Sequence, residues 1–255
     1  MLYLINSTNT IVEGFNISYS EISKCSGADA NVWLIYNTNV TIQNNIIHGS
    51  DGIFLSSSQR DIFIYSNTIH DTRCGIDGRG KRVRQTYIAH NIFHNNINCI
   101  MISGSYNVIQ ENTFYNSPTP CIPIGTGILV DHPSSQFNVI VGNNITSSGD
   151  ALIISGSLNT VYGNNIINNS RGIIIHSSSI GNTIAHNNLI NNTKQVSVSS
   201  EQLTMWDLGY PSGGNYWSDY NGTDLHWGSG QNETGSDGIG DVAYTIDANN
   251  TDRYP

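Results

Sequence analysis

Charge is scarce in this sequence. Asp, Glu, Lys and Arg make up 11% of the residues, about half the usual share. The ten basic and nineteen acidic residues leave a formal net charge of −9. That balance argues against nucleic acid as a partner, because binding phosphates needs a basic face. No apolar run approaches the roughly eighteen residues of a membrane-crossing helix. The opening MLYLINSTNT has neither the cationic start nor the apolar stretch of a signal peptide. It begins inside a repeat, so the chain reads as part of a longer precursor whose targeting segment lies outside it. The four cysteines, Cys25, Cys74, Cys99 and Cys121, lack metal-type pair spacing and allow up to two disulfides or none.

What the sequence has is Asn, Ser, Thr, Ile and Gly in a repeating frame. The segments VTIQNNII, IFIYSNTI, TYIAHNIF, NVIQENTF, NVIVGNNI, NTVYGNNI and NTIAHNNL align on one asparagine. That column is Asn45, Asn67, Asn91, Asn112, Asn143, Asn164 and Asn187, with steps of 22, 24, 21, 31, 21 and 23 residues. A degenerate copy around Val12 and Ile17 brings the count to about eight coils. A second apolar column follows in each repeat: Ile53, Ile76, Ile100, Ile128, Leu152, Ile173 and Val196. Short strands at this period cannot pair as hairpins without losing register, but they can pair in parallel with their own copies about 4.8 Å away.

The expected fold is therefore all-β: a right-handed parallel β-helix over 1–200, with a non-repeating capping segment over 201–255. A leucine-rich horseshoe shares the period but wants Leu and a helical side, which this chain does not offer. The repeated Asn suits a corner, where it tolerates left-handed backbone and bonds to amides above and below. Asn107, Asn138, Asn159 and Asn182 form a second such column, five residues earlier in each repeat.

Three places break the pattern: the insertion NSPTPCIPIGTG, the basic stretch after Ile76, and the tail that starts at EQLTMWDLGY and holds three of the four tryptophans. One outward column reads Phe54, Asp77, Met101, Leu129, Ile153, Ile174 and Ser197. Its apolar members Met101, Leu129, Ile153 and Ile174 call for a cover, either the tail with Trp206, Trp217 or Trp227, or a second copy of the chain.

GGNYWSDYNGTD followed by DGIGDVAYTIDANNTDRYP resembles the C-terminal signature of NosD-like β-helix proteins, common among archaeal surface proteins and part of the pectin-lyase-like superfamily. The resemblance implies a right-handed solenoid, an extracellular or cell-surface location and association with carbohydrate. Copper chemistry, attached to the family name, would call for Met, Cys or His clusters, and three methionines do not supply them.

Several groups are candidates for chemistry. Polysaccharide cleavage needs paired carboxylates, or a cation beside a basic residue, and Asp77, Arg79, Asp131 and His132 are the candidates. Lys81, Arg82, Arg84 and His176 are candidate carbohydrate contacts. Glu233, Asp237 and Asp241 in ETGSDGIGD are candidate calcium ligands, although Gly235 and Ser236 stand where further oxygen donors would be expected. His48, His70 and His94 should stack in successive coils, as a metal site or simply ring on ring. Nine Asn-x-Ser/Thr sequons permit glycosylation on an exported chain. The expected function is a carbohydrate-associated module that binds or borders polysaccharide. The alternatives are a polysaccharide lyase or hydrolase, and a structural envelope spacer.

Overall fold

The computed structural model describes residues 1–19, 30–56, 59–117, 125–199 and 203–255, apart from the side chains of residues 81, 82 and 117. Among the described residues there is no helix. The chain winds as a three-faced parallel solenoid. On the first face the strands Leu2–Ile5, Ala30–Ile35 and Asp51–Ser56, the start of Cys74–Ala89, and Asn98–Ser105, Thr126–Val130, Asp150–Ile154, Arg171–Ile175 and Lys194–Val198 stack in order. The second face runs from Thr8–Glu13 to Thr183–Ala185, and the third is a nine-stranded sheet from Asn16–Tyr19 to Tyr216–Trp217.

The registers match the alternation of apolar residues. On the first face Val32, Ile53, Ile76, Ile100, Ile128, Leu152, Ile173 and Val196 lie one above another. All are buried, and with the inward columns of the other faces they form one continuous core. A strand on its own could bury nothing. Each becomes stable by covering its neighbour, so the core is a row of identical layers rather than a centre.

The asparagines form hydrogen-bonded ladders at the corners. The Asn143 amide N–H donates to Asn164 Oδ1 at 2.9 Å, and Asn143 Nδ2 donates to the same oxygen and to the Ile109 carbonyl of the previous coil. The same links join Asn45, Asn67, Asn91, Asn112, Asn143, Asn164 and Asn187. Asn107, Asn138, Asn159 and Asn182 make a second ladder as expected. A third ladder, absent from the sequence reading, runs from Ser148 through Asn169 to Asn192.

The stack continues beyond Val198, where the repeat was expected to end. Asn215 accepts the Asn187 amide, and Trp217 pairs with Leu189 at the foot of the third face. Met205 bridges to Thr183, which brings Trp206 to the foot of the second face. The two indoles, buried and 6.1 Å apart, close the core in place of Ile and Leu. Trp206 and Trp217 are thus committed to the core end and do not cover the outward column of the first face, and Trp227 is 45% exposed. Within that column Met101 and Ile174 are nonetheless buried.

Candidate functional site

Asp77 and Arg79 meet on the outward side of the first face. Arg79 Nη2 lies 2.9 Å from Asp77 Oδ2, while Arg79 Nε and its backbone N–H both donate to Oδ1. Asp77 is 7% exposed. The carboxylate beside it raises the Arg79 pKa, with a smaller contribution from Asp131. The registers Gly78–Ile102, Ile102–Val130 and Val130–Ile154 align Arg79, Ser103, Asp131 and Ser155 in one column, which His176 continues. Asp131 is thus two coils from Arg79, roughly 10 Å along the axis, with Ser103 between them. Asp131 Oδ1 accepts the His132 amide, and His132 Nδ1 faces Ser134 Oγ at 2.8 Å.

The basic stretch is a bulge in one long strand, Cys74–Ala89. Between Gly78 and Val83 the register jumps relative to Ile102 and Gly104, which leaves three extra residues. Arg84 lies past the bulge, exposed, in register with Arg60 one coil below. The side chains of Lys81 and Arg82 lie outside the described residues, as does most of the insertion, with Cys121, and so does Cys25. Cys74 and Cys99 are buried, and burial pushes the Cys74 thiol well above its ordinary pKa.

The histidines stack as expected. The His48 and His70 rings are 5.0 Å apart and those of His70 and His94 4.7 Å, with Tyr115 a further 5.1 Å on. Rings tilted by only 2° to 9° hold their nitrogens in parallel planes, so the three do not converge on one ion. Burial, and next the neighbouring His70, hold the His94 pKa below its ordinary 6.5. The stability that neutral His94 contributes is complete above pH 6.5 and is lost as pH falls below it. His94→Gln is therefore expected to lessen the drop in melting temperature between about pH 7.5 and pH 5.5; an unchanged drop would sink this reading.

In the tail, Asp241 accepts hydrogen bonds from the Leu225 and His226 amides and from the Thr223 hydroxyl. Burial pushes its pKa up, but these bonds outweigh it and hold the carboxylate at about 2. Asp237 accepts from the Ile239 amide and from Gln231. Asp224, not singled out in the sequence, accepts from the Ser236 hydroxyl and the Asp237 and Gly238 amides. Glu233 sits in a short antiparallel pair with Trp227. Among the described residues no three His, Cys, Asp or Glu side chains cluster in a metal-binding arrangement.

Beside this turn a cleft of about 520 Å³ opens at the foot of the third face, between the final coil and the tail. Tyr216, Tyr220 and Tyr254 line it together with His186, Ser212 and Asp224. Tyr216 is 58% exposed, and His186 Nε2 is 3.0 Å from Ser212 Oγ. Both signature segments, residues 213–224 and 237–255, contribute to its walls. Sequence reasoning missed the cleft because it is assembled from segments far apart in the chain.

A protein-family model described as right-handed β-helix region matches residues 2–145, more than half of the chain. The chain belongs to the right-handed β-helix family. A second model, described as periplasmic copper-binding protein (NosD), matches residues 124–222 of this β-helix protein. The donors in that span do not fit a copper centre: His132 and His176 sit coils apart, His186 is turned to Ser212, and Met205 is 55% exposed at the core end. Among solved structures, the pectate lyase Pel9A is similar over 88% of this β-helix chain and 74% of that chain, at 11% identity and a TM-score of 0.34. No curated protein matches the sequence. No helix among the described residues is long and apolar enough to cross a membrane.

Proposed function

We propose that this β-helix is a carbohydrate-associated module, exported to the cell surface, that holds polysaccharide without cleaving it. The observation that carries the reading is the state of the candidate catalytic groups. A general base must be open to the proton it takes, yet Asp77 is nearly buried and held by three bonds from Arg79. Its potential partner Asp131 is two coils away, too far for the shared work of a retaining pair. The exposed sequons Asn6, Asn16, Asn39, Asn168, Asn191, Asn221, Asn232 and Asn249 suit export.

The test is to incubate the purified chain, with calcium or with EDTA, with neutral and uronic polysaccharides and to follow retention and newly formed chain ends. The expected result is retention on at least one polymer without new ends. New ends that disappear in Asp77→Asn or Asp131→Asn would make the protein a lyase or hydrolase. Retention lost both in EDTA and in Asp237→Asn would tie binding to calcium at the Glu233, Asp237 and Asp241 turn.

A further inference from the structure

We infer that the cleft at the C-terminal end, rather than the long first face, is the saccharide site of this module, and that its ligand is a neutral glycan chain. The inference rests on the carbohydrate-module reading and specifies its site and ligand class.

Three observations bear on it. The first is the lining. A pyranose presents an apolar C–H face and an equatorial rim of hydroxyls, so it is recognised by an aromatic ring on one side and by fixed donors and acceptors around it. Tyr216 offers an exposed ring, while His186 with Ser212, and Asp224, offer polar groups already oriented by their own hydrogen bonds. The cleft is pre-formed, because the backbone bonds Gly214 N to Tyr254 O and Gly240 N to Pro255 O tie residues 254 and 255 across it.

The second is the share of glycine in the lining. Gly213, Gly214, Gly222, Gly238 and Gly240 all line the cleft. At Gly240 and Gly222 a Cβ would fall 2.2 Å and 2.1 Å from Tyr220 Oη. Side chains there would push Tyr220 out of its bond with the Val242 carbonyl and fill the space.

The third is charge and direction. Among the described residues lining the cleft there is no Lys or Arg, and Asp224 is a carboxylate. With a chain charge of −9, this environment repels a uronic-acid polymer and accepts an uncharged one. From the cleft, Tyr216, Asn188 and Asn165 continue outward up the third face in register, with Asn188 Nδ2 donating to Asn165 Oδ1 at 2.7 Å. Their spacing of about 4.8 Å per coil is comparable with one sugar ring. An extended chain leaving the cleft would meet an amide at each step.

The experiment is a calorimetric or NMR titration of the full chain with neutral hexose oligosaccharides and with uronate oligosaccharides. It compares the parent protein with Tyr216→Ala, Asp224→Asn, and a first-face double variant, Arg84→Ala with His176→Ala. Tyr216 is exposed and outside the core, so the Tyr216→Ala chain is expected to keep the parent melting temperature. The inference predicts binding of neutral oligosaccharides only, a loss of about tenfold or more in Tyr216→Ala, and no change in the double variant. Binding retained in Tyr216→Ala but lost in the double variant would overturn the cleft and leave the module reading standing. A preference for uronates would overturn the ligand class. Failure to bind any saccharide would overturn the module reading and the inference with it.

Discussion

Asn143→Ala is expected to destabilise the fold by about 3–5 kcal/mol, as several buried polar groups lose partners at roughly 1–3 kcal/mol each. Asn143 stands mid-ladder and is fully buried. Its Oδ1 accepts both the Asn112 amide and Asn112 Nδ2, and its own Nδ2 serves the Ile109 carbonyl and Asn164 Oδ1. Alanine deletes these four bonds, and a fifth from Nδ2 to the Val141 carbonyl, while the surrounding strands keep their register, so the orphaned groups stay away from water. The exposed Asn221, which belongs to no ladder, is the control, and Asn221→Ala is expected to shift stability by less than about 1 kcal/mol. Urea unfolding of the three proteins decides the matter: equal midpoints for Asn143→Ala and the parent would mean that the ladder decorates the corners without holding them.

Asp252→Ala is expected to have an effect of the same size, at the terminus of the same device. The ladder donates in one direction, so its last member needs a terminal acceptor. Asp252 Oδ2 takes the Asn215 amide at 2.7 Å, Asn215 Nδ2 at 3.3 Å and Trp217 Nε1 at 2.9 Å, while Oδ1 takes the Tyr254 amide. The group is fully buried, and burial raises its pKa despite the four donors. A raised folded-state value means that protonation favours the fold, so any contribution of this group to pH dependence weakens stability as pH rises above 3.8. Alanine would strand the Asn215 and indole N–H groups and loosen Trp217, at about 3–5 kcal/mol. Asp252→Asn preserves an acceptor and removes the buried charge, and is expected to lose much less. If Asn and Ala variants melt together, the residue is a packing element and not the ladder's terminus.

The fold was legible because its unit is short and repeats. Asn45, Asn67 and Asn91 recur with an apolar residue two positions on, and a parallel stack is the one arrangement that buries every such residue at once. The same spacing places His48, His70 and His94 in one pile. The final rungs depart from the frame for a physical reason. Asn215 and Trp217 keep the Asn and the apolar position of the frame, but Ser212 stands where the β-branched residue should be, and the step from Asn187 is 28 residues. Indoles stand in place of Ile and Leu where the layer beneath is the irregular tail and not another coil, with Tyr244 stacked on Trp217 at 4.1 Å to seal the core.

The sequence by itself determined the solenoid, the identity of its inward columns and the asparagine corners, since each follows from contacts between a residue and its own copy one period away. Tertiary structure alone decided which polar groups stand open and which are bound. The periodicity places Asp77, Arg79 and Asp131 on one face, but whether Arg79 turns outward to a ligand or back onto Asp77 depends on rotamers and on a three-residue bulge. The cleft likewise joins His186, Tyr216 and Asp224 with Tyr254, across intervals that no repeat relates, and only the folded path of the tail brings them together.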